Sequence, residues 1–212
     1  MATPSYKLIY FGVQARAELA RMLFRYANVD FEDVRITRDD WATLKQDPKT
    51  KFGQVPILEI NGKPIAQSQA IVRYLAQKFG YLPTDPDAAL PIDELYAFIN
   101  SDISDKQFLG SLFQDPEAKE KYRSDYFGNQ LPTRLGYIEK ILESSTSGYL
   151  VGDKLTLADL ALIDFAQRVL FDKDWIERTK PVLEKLPKVS EYLQKRFEDP
   201  QYKAYLEKKP KA

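Results

Sequence analysis

The sequence predicts an α/β layer over its first eighty residues and an all-helical domain over the remainder. Three observations carry this. Strand-like and amphipathic helical segments alternate between Tyr6 and Phe79. The ten residues Leu82 to Pro91 hold three prolines and read as a linker. From Ile92 onward no segment reads convincingly as a strand. The expected division is an α/β domain over 1–81, a linker over 82–91 and a helical domain over 92–212.

Each element has a local reason. Tyr6 to Phe11 is β-rich and reads as a first strand. In Ala15 to Ala27, the apolar residues Leu19, Met22, Leu23, Tyr26 and Ala27 form the i, i+3, i+4, i+7, i+8 stripe of an amphipathic helix. Phe31 to Ile36 reads as a second strand, and Thr37 to Lys51 as a polar, irregular stretch. Ile57 to Ile60 and Pro64 to Ala66 flank Asn61-Gly62, a type I′ hairpin signal. Ser68 is placed to cap a helix with Ile71, Val72, Leu75, Ala76 and Phe79 on one face. The order is β-α-β followed by β-β-α, with a right-handed crossover between the first two strands.

Helices are expected over 92–113, 116–143 and 157–170, then in shorter pieces, with Pro181, Pro187 and Pro200 each in a first turn. Thr156 is an N-cap candidate with Asp159 at N3 and Leu155 and Leu160 at the staple positions. That spacing makes Asp159 a structural acceptor. The basic tail Lys208-Lys209-Pro210-Lys211 reads as a frayed end.

Composition removes many mechanisms. The 212 residues include no Cys and no His, and 31 basic residues balance 31 acidic ones. A disulfide framework, a CxxC redox pair and a thiol nucleophile are excluded, as are an imidazole base and zinc sites built on Cys or His. Zero net charge argues against a nucleic-acid binder relying on bulk positive charge. Met1 to Lys7 lacks the features of a secretory signal, and no stretch approaches 18 uncharged apolar residues. A cytoplasmic protein is the expectation, with no membrane, nucleic-acid or metal partner.

Six motifs in register carry a resemblance. They are Lys7-Leu8-Ile9-Tyr10-Phe11, Arg16-Ala17-Glu18, Asp40-Trp41 with Lys45, Phe52-Gly53-Gln54-Val55-Pro56, Ala66-Gln67-Ser68 and Leu155-Thr156-Leu157-Ala158-Asp159. Together they resemble the cytosolic glutathione S-transferases of the tyrosine type, nearest the sigma class, over almost the whole chain. The resemblance implies a thioredoxin-like N-terminal domain, an all-α C-terminal domain, glutathione as co-substrate and a homodimer. The loop Gly12-Val13-Gln14-Ala15 departs from the commoner Pro- or Gly-bearing version. A partner-reaching acid falls near Ser101 or Asp102.

The resemblance assigns roles that chemistry can rationalise. The thiolate of glutathione is the nucleophile, yet an ordinary thiol has a pKa of about 8.5. The Tyr10 O–H, donating to sulfur, favours the thiolate, and one unit of lowering needs about 1.4 kcal/mol. Arg16 adds positive charge nearby. Lys45 and the Trp41 indole N–H suit the glycine carboxylate. Val55, beside a Val55-Pro56 bond expected to be cis, offers backbone groups to the cysteinyl unit, with Gly53 and Gln54 alongside. Gln67 and Ser68, at a helix start, suit the γ-glutamyl carboxylate. Phe11, Phe108 and Leu112 are apolar candidates for the electrophile pocket, and Phe52 for insertion into a partner subunit. The implied function is conjugation of glutathione to hydrophobic electrophiles. A glutathione-dependent prostanoid isomerase, or a non-catalytic holder of glutathione or hydrophobic ligands, are the alternatives.

Overall fold

In a computed structural model the chain is described over residues 4–110 and 112–208. It divides into two compact units. One holds the chain up to Leu82 together with the stretch from Pro200, and the other holds Pro83–Asp199.

The first unit is built on a four-stranded sheet. β1 (Tyr6–Phe11) leads through α1 (Glu18–Tyr26) to β2 (Glu32–Ile36). After α2 (Arg38–Leu44) come β3 (Ile57–Ile60), β4 (Lys63–Ala66) and α3 (Ser68–Lys78). The sheet order is β2-β1-β3-β4; β1 and β2 are parallel, and the other pairs antiparallel. The crossover helix between parallel strands is the connection that such a pair needs. Leu8, Leu58, Ile57, Met22, Leu23, Phe24, Ile71 and Leu75 are fully buried and form the core. The hairpin turns as expected, with φ of +50° at Asn61 and +78° at Gly62, the backbone signature of a type I′ turn.

Several expectations are corrected in this unit. Residues 38–44 are helical, because Thr37 and Asp40 form a reciprocal capping box with an Asp in place of the usual Glu or Gln. α1 starts at Glu18, three residues later than expected, so Arg16 precedes it. Gln67 flanks α3 and Ser68 is its first residue, so Ser68 is not the cap. The C-terminal helix, α11 (Pro200–Glu207), packs with this unit. The reason is burial: Tyr202 and Tyr205 are 7% and 3% exposed, and the Tyr205 ring lies 6.3 Å from that of Tyr26 on α1.

The second unit is helical. α4 (Pro86–Ala97) continues through a π-helical stretch, Phe98–Ser104, into α5 (Asp105–Leu109). α6 (Pro116–Asp125) continues through Tyr126–Gln130 into α7 (Leu131–Ser144). α8 (Leu157–Phe165) continues as Ala166–Leu170, and α9 (Ile176–Leu183) and α10 (Pro187–Glu198) follow. The expected linker is half helix. Asp85 caps α4 by accepting from the Ala88 N–H at 2.9 Å, and Pro86 occupies the first turn, where its missing N–H costs nothing. Pro91 sits inside α4 on its exposed side, and buried Ala89, Ile92, Leu95 and Tyr96 hold the helix against that interruption. Pro181 likewise lies inside α9, not in its first turn.

The Thr156 capping box forms as expected. Asp159 is fully buried and accepts from the Thr156 N–H and O–H, the Leu150 N–H and the Tyr192 O–H at 2.6 to 3.0 Å. Four donors occupy this carboxylate, which is a structural anchor.

Candidate functional site

The sheet register gathers distant segments at one edge. Ile9 lies opposite Ile57, Ile57 opposite Ala66, and Tyr10 beside Arg35. The C-terminal ends of β1, β2 and β4 therefore coincide with the start of β3. Past those ends come the turn with Arg16, the α2 segment with Trp41 and Lys45, the Val55-Pro56 pair, and Gln67-Ser68. Alternating strand direction alone brings these sequence-predicted residues to a common edge.

Tyr10 is 8% exposed. Its ring meets that of Phe11 at 5.6 Å, and the Phe11 ring meets Trp41 edge-on at 6.2 Å. These contacts make an aromatic floor from β1 to α2. Trp41 and Lys45 stand one helical turn apart, with the Lys45 N–H donating to the Trp41 carbonyl at 2.9 Å. Trp41 is half exposed and Lys45 exposed. The Thr37 N–H and O–H, both donating to the Asp40 carboxylate at 2.8 Å, hold its pKa below the ordinary carboxylate value.

Thr50 was not singled out by the sequence. Thr50 is buried, and its hydroxyl donates to the Leu44 carbonyl at 2.7 Å, while its own carbonyl accepts from the Gly53 N–H at 2.8 Å. It ties the end of α2 to the turn bearing Gly53 and Gln54. Gly53 has φ of +60°, a conformation that favours glycine. Val55-Pro56 is cis, and Val55 lies outside the ladder, which begins at Ile57. Gln67, predicted as a ligand contact, also carries strain: its φ is +75° at ψ 107°, unusual for a residue with a side chain. Such strain costs about 1 to 3 kcal/mol and concentrates at binding sites.

The structure also brings an unpredicted cation to Tyr10. The Arg21 guanidinium lies 5.9 Å from the Tyr10 ring centroid and is 4% exposed. Helical periodicity gave no sign of it, because three of its partners, Phe11, Val13 and Asp33, lie outside α1. Arg16 is exposed on the turn before α1. Phe108, in α5, and Leu112, just beyond it, are exposed residues of the second unit. Ser101 and Asp102 lie exposed on its Phe98–Ser104 stretch.

Comparison with known proteins bears on this geometry. Residues 6–77 match the glutathione S-transferase N-terminal domain and residues 102–209 match the C-terminal domain. A probable glutathione S-transferase 6 of Caenorhabditis elegans is 38% identical over 189 residues, covering 87% of this chain and 90% of its own. The prostaglandin synthase D of Nilaparvata lugens superposes with a TM-score of 0.79 at 30% identity, covering 98% of this chain and 100% of its own. A monomeric glutathione S-transferase of the hookworm Necator americanus, Na-GST-3, superposes at 0.75 with 31% identity, covering 98% of both chains. Two domain models in the expected order, and relatives above 30% identity along almost the full length, agree with the edge assembled by the sheet: the chain belongs to the glutathione S-transferase family.

Proposed function

We propose that the chain conjugates glutathione to hydrophobic electrophiles, with Tyr10 stabilising the thiolate. The observation carrying this reading is the register that gathers Tyr10, Trp41, Lys45, Val55, Gln67 and Ser68 at one sheet edge. A tripeptide with a carboxylate at each end and a thiol between them matches that spread. Lys45 and Trp41 take the glycine carboxylate, and Gln67 with the start of α3 takes the γ-glutamyl carboxylate. Gly53, Gln54 and the free backbone of Val55 take the cysteinyl unit. The sulfur then faces Tyr10, whose O–H donates a charge-assisted hydrogen bond to the thiolate, with Arg16 supplying positive charge. With no imidazole in the chain, the thiol proton leaves to solvent or to a carboxylate. The thiolate forms a C–S bond at the electrophilic carbon, and a leaving group departs with its electron pair. Phe11, whose ring meets that of Tyr10, supplies apolar surface for that second substrate.

The test is turnover of a chloronitrobenzene with glutathione, in which chloride is released. Tyr10→Phe is expected to lower kcat/KM about tenfold or more, to raise the pH midpoint of the reaction and to leave glutathione binding intact. Wild type that binds glutathione but turns over nothing in a broad electrophile panel would favour a ligand-holding protein. The likeness to the Nilaparvata lugens prostaglandin synthase D supports a second reading, an isomerase using glutathione as cofactor. A prostaglandin endoperoxide belongs in the panel for that reason.

A homodimer in the cytosol completes the reading. Phe52, 52% exposed beside Gly53, suits insertion into a partner. The hookworm relative is monomeric, so sedimentation of this chain and of Phe52→Ala decides the point.

A further inference from the structure

A buried chain of charges runs beneath the Tyr10 loop and ends on the C-terminal helix. Arg21 uses four of its five N–H donors. Nε donates to Asp33 Oδ1 at 3.0 Å; Nη1 to the Val13 carbonyl and to Glu18 Oε2, each at 3.1 Å; Nη2 to the Phe11 carbonyl at 3.1 Å. Asp33 in turn accepts from Arg35 Nε at 3.0 Å. The other oxygen of Glu18 accepts from the Tyr205 hydroxyl. Glu18, Arg21 and Tyr205 are 2%, 4% and 3% exposed.

The cavity among these groups, also edged by Arg25, Phe31 and Lys208, holds about 10 Å³, room for at most one water. That volume excludes a ligand and makes the cluster a strut. What it braces is specific. Phe11 and Val13 bracket Gly12 directly after Tyr10, and a Cβ on Gly12 would meet nothing within 4 Å. Gly12 itself offers no side chain to hold the turn, and the Arg21 fork grips the carbonyls on either side of it. Arg21 is held from one side by Asp33 of β2 and from the other by Glu18, which Tyr205 holds in turn.

We propose that Tyr205 is a positioning residue for the thiol site: through Glu18 and Arg21 its hydroxyl fixes the Phe11–Val13 turn that aims Tyr10. The proposal rests on the reading that Tyr10 stabilises the thiolate. It makes the C-terminal helix, more than a hundred residues away in sequence, part of the thiol-activating apparatus. Lys208, whose Nζ donates to Asn28 Oδ1 at 3.0 Å, pins the same helix at its end.

The experiment is a double-mutant cycle of Tyr10→Phe and Tyr205→Phe. It reads the ultraviolet thiolate absorption of bound glutathione against pH, with kcat and KM for the chloronitrobenzene reaction. Tyr205→Phe is expected to raise the thiolate midpoint by about half a unit and to lower kcat about threefold, with KM for glutathione little changed. In the Tyr10→Phe background it is expected to move the midpoint no further. A midpoint unmoved by Tyr205→Phe, or moved equally in both backgrounds, overturns the proposal even if the melting temperature falls. If Tyr10→Phe alone leaves the midpoint unmoved, the Tyr10 reading itself fails and the proposal falls with it. Glu18→Gln gives a second arm should Tyr205→Phe not fold. It keeps an acceptor for Tyr205 but removes the charge facing Arg21, and an unmoved midpoint there overturns the proposal equally.

Discussion

The Arg21 guanidinium lies 5.9 Å from the Tyr10 ring centroid and donates to the carbonyl of Phe11, the next residue in the chain. One side chain of α1 thus touches both the proposed thiol-stabilising ring and the backbone that aims it. Arg21→Met fills the space but strands Glu18 as a buried carboxylate without its cation. Breaking a buried pair from one side costs about 3 to 5 kcal/mol, and that loss is expected in urea unfolding. Arg21→Lys keeps the charge and loses the fork, so it should unfold between wild type and Arg21→Met. Equal stability of all three would remove the strut.

α2 carries Trp41 and Lys45, and its start depends on the Thr37–Asp40 box. Loss of an N-cap side chain costs about 1 kcal/mol, so Thr37→Val should fray the helix locally and leave the core intact. The expected signature is a raised KM for glutathione with kcat nearly unchanged. Acid has the same effect with a defined sign. The folded pKa of Asp40 lies below its unfolded value, through hydrogen bonds from the Thr37 backbone and then its side chain. The box is therefore whole above the ordinary carboxylate pKa and is lost as pH falls through the lowered folded value. Hydrogen exchange of α2 against pH, compared with Asp40→Asn, checks this; protection that ignores both acid and the substitution refutes it.

Much of the fold around the candidate site was legible because its signals are local. The Asn61-Gly62 hairpin, the strand of Tyr10 and the Thr156–Asp159 box each rest on residues within a few positions of one another. α2 was missed because its seven residues carry no apolar stripe to follow the box. Arg21 falls among the apolar residues of α1, and periodicity cannot announce partners arriving from Asp33, Phe11 and Val13. The strain at Gln67 has no signature in sequence, since nothing but the tertiary path from β4 into α3 demands a positive φ there. The packing of α11 on α1 is hidden for a similar reason. Its attachment runs through Tyr205 and Glu18, 187 positions apart.

Alkaline pH should weaken the fold more steeply than composition suggests. The Tyr6 phenol is pushed up to about 12, chiefly by burial and secondarily by Tyr74. Burial also raises Tyr96 and Tyr126, with Asp164 adding to the first. Each folded value lies above that of the unfolded chain, so the unfolded state releases its protons first. Stability is whole below about pH 10, the ordinary tyrosine value, and falls as pH rises toward the folded values. Urea midpoints measured from pH 9 upward should decline beyond that point, and Tyr6→Phe should flatten part of the decline between about 10 and 12. An identical slope in that variant would exclude Tyr6 as a source.

Asp159 anchors α8 to two other segments, and its removal should cost more than loss of a cap. Asp159→Ala leaves the Thr156 and Leu150 N–H groups and the Tyr192 O–H without their acceptor, all in buried surroundings. Each orphaned buried donor costs about 1 to 3 kcal/mol, so the sum is expected at about 4 kcal/mol or above. Asp159→Asn should recover little, because its amide NH2 faces donors where the second carboxylate oxygen stood. Tyr192→Phe removes a single donor and leaves Asp159 three others, so about 1 to 2 kcal/mol is expected. Denaturant unfolding of the three variants separates the possibilities. A cost for Asp159→Ala no larger than that for Tyr192→Phe would mean that the helix start at Thr156 holds without its carboxylate.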